Sequence, residues 1–241
     1  MTSNRILQAL TPNELSRLRP RLTPVHLAQH TVLCPINEKI EHVYFVQAGL
    51  VSLLNVSENG DMIEAAIIGA EGVVGGIAAI DGVTSDTQVT VQITGDALRM
   101  KVSDFLEACT SLPHLRKLVN QHIQILLFQA QQNATCHALH SVECRMCRWM
   151  LQAQDVMNTH VLDLTQEFIS HMIGVQRTSV SMIAHTLQHA GFIKYSRGHI
   201  EIIDKLALQE AACECYNLIK QQIDMRIPAR SLDHANSGAI T

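Results

Sequence analysis

Leu164-Thr165-Gln166-Glu167-Phe168, Gly174-Val175-Gln176-Arg177-Thr178-Ser179-Val180 and Gly191-Phe192-Ile193-Lys194-Tyr195-Ser196-Arg197-Gly198-His199-Ile200 make one compact pattern between Leu164 and Ile203. Thr165 is placed to cap a helix whose first turn carries Gln166 and Glu167, and the negative charge there suits the positive end of the helix dipole. Gly174 suits the left-handed turn that ends this helix and admits the next. The spacing of Val180, Ile183, Ala184 and Leu187 predicts a second helix from about Gln176 to His189. Its other face shows Arg177, Thr178, Ser181, Met182 and His185. Gly191 opens a hairpin of Ile193–Tyr195 and His199–Ile203 about the turn Ser196-Arg197-Gly198. Helix, glycine turn, helix and hairpin read as a winged helix-turn-helix.

Upstream, glycine divides the chain. Eight of the twelve glycines lie between Gly49 and Gly95, and none lies between Gly95 and Gly174. The glycine-rich part alternates like strands: His42 to Gly49 and Leu50 to Val56 meet at a glycine, and Asn59-Gly60 is a hairpin signal before Met62 to Ile68. Asp81-Gly82 and Thr94-Gly95 punctuate two further strands, one of them Gln88 to Ile93. A short helix, Pro12 to Arg19, precedes them. Such spacing predicts a jelly roll or barrel. From Pro113 the composition turns helical. Leu115, Val119, His122, Leu126, Gln129, Asn133 and Cys136 follow a 4-3-4-3 spacing, a seam that turns polar toward its C-terminal half. A helix of this length is about 37 Å long, more than a small barrel covers. A partner helix along that seam is the expectation, and a helix packed on its own domain is the alternative. After Ser141, a plausible N-cap, two or three short helices are expected before Leu164.

The resulting plan is α+β. It has a sensor roll over 1–112, a dimerisation helix over 113–138, a DNA-binding unit over 139–228, and a tail over 229–241 that reads as disordered. In a chain of 241 residues, 47% are hydrophobic and 17% charged, enough for a packed core and against bulk disorder. The net charge of −4 speaks against a general polyanion binder. It is unevenly spread, however: residues 1–112 hold 12 acids against 7 bases, and residues 168–200 hold no acid at all. A local positive face therefore fits inside an acidic protein.

Seven cysteines without a signal-like start predict reduced thiols and a cytoplasmic protein, and no apolar run reaches the length of a membrane span. His137, His140, Cys144 and Cys147 would share one face if the long helix ran on, which raises a metal site at the hinge. Ser141 breaks the helix there, and buried soft residues are commonly core. Cys213-Glu214-Cys215 reads as packing on an apolar helix. The expectation is no metal and no cofactor. Catalysis has no support either, since a nucleophile elbow, a His-Glu-x-x-His pair and a carboxylate pair are all lacking.

The blocks His42 to Gly60, Leu164 to Phe168, Gly174 to Val180 and Gly191 to Ile193, in order and joined by a long helix, resemble the Crp/Fnr family of bacterial transcription regulators over most of residues 10–225. The resemblance implies a cyclic-nucleotide-binding-type β-roll, a central dimerisation helix and a C-terminal winged helix, with a signal in the roll repositioning the DNA-binding pair. It implies a homodimer through Leu115, Val119, His122, Leu126, Gln129 and Asn133, bound to double-stranded DNA at a pseudo-palindromic operator, and contact with RNA polymerase if the protein activates. Gln176, Arg177, Thr178 and Ser181 fall on the base-reading positions, and Arg177 matches the base-reading arginine. Thr165, Lys194 and Arg197 fall on positions suited to phosphate. Two departures bear on the effector. Cyclic-nucleotide-binding members carry a Gly-Glu-Leu cassette, yet Gly76 stands where that Glu is expected. Asp86 lies near the position of the phosphate-pairing Arg, where it would repel phosphate. The first cysteine, Cys34, stands alone, unlike the clustered N-terminal cysteines of iron–sulfur members. The ligand is left unknown. A ligand-binding or redox-sensing module whose winged helix serves protein contact is the other reading.

Overall fold

The computed structural model describes residues 2–80, 84–196 and 198–228. Two short helices open the chain: α1 (Arg5–Ala9), and α2 (Pro12–Leu18), which starts in a Thr11–Glu14 capping box. Six strands follow: β1 (Thr23–Leu27), β2 (Val32–Cys34), β3 (His42–Val56), β4 (Met62–Ile68), β5 (Val73–Val74) and β6 (Gln88–Lys101). They form one antiparallel sheet in the order β1-β6-β3-β4, with β2 on β6 and β5 on β3. The expected strand breaks at Gly49 and at Thr94-Gly95 do not occur. β3 and β6 run 15 and 14 residues through them, bent by shifts in register near Ala48 and Leu50. Glycine is required at this bend for want of space. A Cβ on Gly95 would sit 2.0 Å from the Ala48 carbonyl oxygen, and one on Gly49 2.7 Å from that of Ile93.

Helix α3 (Val102–Ser111) leads into α4 (Pro113–Leu139), close to the helix the sequence predicts. α4 lies along β4, which among the described residues pairs with β3 alone and so leaves one edge without a strand. Side-chain amides cover that edge: Gln129 accepts from the Ile67 N–H and donates to its carbonyl, both at 3.1 Å, and Asn133 donates to the Ala65 carbonyl at 2.9 Å. This accounts for the polar turn of the seam. Above it, Leu115 and Val119 enter a core with Phe45, Phe105 and Val73. His122 sits over Gly72, where a Cβ would come 2.2 Å from its Nε2, and burial holds its imidazole down to about 4.

Ser141 caps α5 (Val142–Met157), its hydroxyl accepting from the Cys144 N–H. This single helix replaces the two or three short ones expected. All ten residues from Arg145 to Gln154 are buried, because α5 is sandwiched between the roll and the winged helix. Its Trp149, Met150 and Leu151 share one core with Leu50, Leu54 and Ile67 of the sheet and with Ile169, Val180 and Leu187 beyond. Trp149 Nε1 donates at 2.8 Å to the buried carboxyl of Glu64 on β4, which also accepts from the Ser52 hydroxyl. The chain closes with β7 (Val161–Asp163), α6 (Gln166–Met172), α7 (Arg177–His189), β8 (Ile193–Ser196), β9 (His199–Ile202), α8 (Lys205–Ala211) and α9 (Cys215–Arg226). The strands form a second antiparallel sheet, β7-β9-β8, and α9 packs back along α4. The tail expectation over 229–241 lies outside the described residues.

Candidate nucleic-acid interface

Helix α6 is capped by Thr165, whose hydroxyl accepts from the Phe168 N–H at 3.1 Å. It ends in a Schellman turn: the Val175 N–H donates to the Ser170 carbonyl at 2.9 Å, the Gly174 N–H donates to that of His171 at 3.3 Å, and Gly174 has φ +62°. The turn sends α7 off as a separate helix. Val180, Ala184 and Leu187 are buried beneath it, with Ile183 partly covered. Gln176 stands at the N-cap position of α7 with its side chain making no cap hydrogen bond, and Gln176, Arg177, Thr178, Met182 and His185 are all exposed. Arg177 is the first helical residue, so its guanidinium projects from the end that a major-groove helix turns toward base edges.

Ser181 behaves differently. It is half-buried, and its hydroxyl donates to Gln166 on α6. Its proton is engaged across the two helices, which leaves the hydroxyl only its lone pairs to offer a base edge. The wing is β8 and β9, tightened by Gly198 at φ +87°. A Cβ on Gly198 would lie 3.7 Å from the Thr165 methyl, so the wing turn and the α6 cap adjoin. Lys194 is exposed on β8, opposite Glu201 of β9. Arg197 lies outside the described residues.

The six residues expected at the dimer interface face the other way. Leu115, Val119, His122, Gln129 and Asn133 are buried against their own chain, and Leu126 packs partly on the core of the roll. The spacing is real, but the surface it meets is the roll and the β4 edge. Five of the six are thus covered by their own chain, and Leu126 is half-buried. The opposite stripe of α4 is open: Gln124, Leu127, Gln131, Ala134 and Ala138 are exposed at the same alternating spacing, with Leu127 at 59%.

In the roll, Gly75 is left-handed at φ +75° and starts a single 3-10 turn, Gly76–Ala79. A Cβ on Gly76 would lie 2.9 Å from a Val73 methyl and 3.6 Å from one of Val119. Where a ribose-binding carboxylate would stand, the packing barely admits a first carbon. Asp86 is exposed. The face that His137, His140, Cys144 and Cys147 would share on one continuous helix does not form, because α4 stops at Leu139 and α5 starts anew at Val142, as the break expected at Ser141 requires. His137 turns to Arg145, and Cys147 enters the α5 core. The cysteines read as packing are buried, and they are also brought together: Cys213 and Cys215 meet Cys136 and His140. Residues 75 apart in sequence carry no spacing signal that pairs them.

A β-roll, a long helix and a winged helix with an exposed reading end define a sensor-coupled DNA-binding protein. Residues 24–111 match the family profile of the cyclic nucleotide-binding domain, and residues 144–211 that of the Crp-like helix-turn-helix domain. The chain is 25% identical over 222 residues to the CRP-like cAMP-activated global transcriptional regulator of Mycobacterium tuberculosis, covering 86% of this chain and 96% of that one. The structure of FixK2 from Bradyrhizobium japonicum superposes with a TM-score of 0.69 at 15% identity, over 80% of this chain and 98% of that one. A Crp/Fnr regulator from Thermus thermophilus gives 0.64 at 21%, over 79% and 98%. The chain belongs to the Crp/Fnr family and is a DNA-binding transcription regulator.

Proposed function

We propose that the protein is a cytoplasmic homodimer that reads a pseudo-palindromic operator through α7. Gln176, Arg177 and Thr178 meet base edges, and Ser181 holds the helix at its angle. Thr165, Lys194 and Arg197 contact phosphates and fix the orientation. The observation that carries this reading is the start of α7, where Gln176, Arg177 and Thr178 stand together exposed. The working units are a sensor roll over 1–112, the helix 113–138 and a DNA-binding unit over 139–228. Two copies pair through the Leu127 stripe of α4, placing the two reading helices about one helical turn apart on DNA. No catalytic activity is assigned, and contact with RNA polymerase belongs to the reading in which the protein activates.

Cyclic AMP, the activator in the name of the mycobacterial relative, is not carried over, given the close packing at Gly76 and the carboxylate of Asp86. A genome-wide footprint followed by titration of the recovered site tests the reading. A two-fold site bound with steep salt dependence supports it, because neutralised phosphates release counterions. Absence of any enriched site refutes it.

A further inference from the structure

We propose that Cys136, His140, Cys213 and Cys215 form a binding site for a thiolate-preferring divalent metal of the zinc class, joining the end of α4 to the start of α9. Their ligand atoms all lie within 4.8 Å of one another. The Sγ atoms of Cys136 and Cys213 are 3.4 Å apart, and Cys215 Sγ is 3.5 Å from His140 Nδ1. A tetrahedral zinc with bonds of about 2.3 Å to sulfur separates its sulfurs by about 3.8 Å, within this spread. The three cysteines are buried and His140 is half-buried. Three sulfurs and one imidazole with no carboxylate among the ligands make a soft donor set, which suits zinc over magnesium or calcium.

The groups behind the ligands also fit. His140 Nε2 lies 3.3 Å from the Glu214 carboxylate, so the Nε2–H is held outward and the Nδ1 lone pair faces the sulfurs. That carboxylate–histidine arrangement is the usual support of a metal-bound imidazole. Gln132 Nε2 donates to Cys215 Sγ at 3.2 Å, a bond suited to a sulfur that carries negative charge. A simple disulfide between Cys136 and Cys213 would leave Cys215, His140, Gln132 and Glu214 converging on nothing. The metal would clamp α9 onto α4 across the break at Ser141. The assignment stands apart from the operator reading, and either can fail without the other.

The test loads the full, reduced chain with Co²⁺ alone. The expected result is one cobalt per chain, with sulfur-to-cobalt charge transfer and the strong visible bands of tetrahedral cobalt, displaced by Zn²⁺. Cys213→Ser with Cys215→Ser abolishes the bands, Cys34→Ser leaves them, and His140→Cys keeps a tetrahedral spectrum. Glu214→Gln, at an exposed position where folding is not at stake, keeps the spectrum and weakens affinity about 10–100-fold. A wild-type chain with no thiolate band, or a double cysteine variant that still binds cobalt at full stoichiometry with that band, overturns the site. So does a Cys136–Cys213 disulfide in protein purified without oxygen.

Discussion

Replacing Glu64 by Gln should remove a pH-dependent component of stability from the contact between roll and winged helix. Glu64 is 5% exposed. Its carboxyl is pushed from 4.5 up to about 7 by burial, against the opposing effects of hydrogen bonds from Ser52 and Trp149 and the charge of Arg148. Between those values the folded chain keeps a proton that the unfolded chain releases, so stability falls as pH rises. The contribution is fully present below pH 4.5 and is lost as pH climbs through 7. The shift corresponds to about 3 kcal/mol, at 1.36 kcal/mol per unit. Gln keeps the geometry without the ionisation: its carbonyl accepts from Trp149 and its amide reaches Ser52. His122, held down to about 4 by burial, contributes the opposite slope, so the two chains must be compared and the difference taken. Urea unfolding from pH 4.5 to 7.5 supplies that difference, and Trp149, the one tryptophan, reports directly on the contact. The variant should gain about 3 kcal/mol on the wild type across this range. A gap that stays constant with pH would refute the reasoning.

Arg177→Ala should cost about 1–3 kcal/mol on the operator and much less on random DNA, whereas Lys194→Ala should weaken both alike and lower the salt slope by about one unit per chain. Titrations at several salt concentrations separate the two. Leu127→Asp should leave a folded monomer by light scattering, while Leu126→Asp, which places a charge against the roll, should lower the unfolding midpoint instead. Calorimetry should show no cyclic AMP binding at micromolar concentration, and a micromolar or tighter dissociation constant would count against the packing argument at Gly76.

The winged helix was legible because its signals are local. Thr165, Gly174, Gly191 and Gly198 each stand where a cap or a positive φ requires them, and all four behave as read. What the sequence withheld depends on which surfaces meet. The α4 seam has a true helical period, but period alone does not say whether it faces a second copy or the β4 edge, and only the Gln129 and Asn133 bonds decide. α5 looked like several short pieces because its buried run includes Arg145, Arg148, Gln152 and Gln154, polar residues buried between two layers. The bond from Ser181 to Gln166 has no local signal, because its acceptor sits on another helix. Cys136 and Cys213 are joined only by the return of α9 along α4.

The amide caps on β4 also govern how copies of the chain can meet. An open strand edge recruits strands, and chains that join edge to edge propagate without limit. With the Ala65 carbonyl taken by Asn133 and both peptide groups of Ile67 taken by Gln129, this stretch of edge has little left to offer another strand. Contact between copies on that side therefore falls to side chains, such as Leu127 on the exposed stripe of α4, and not to backbone pairing.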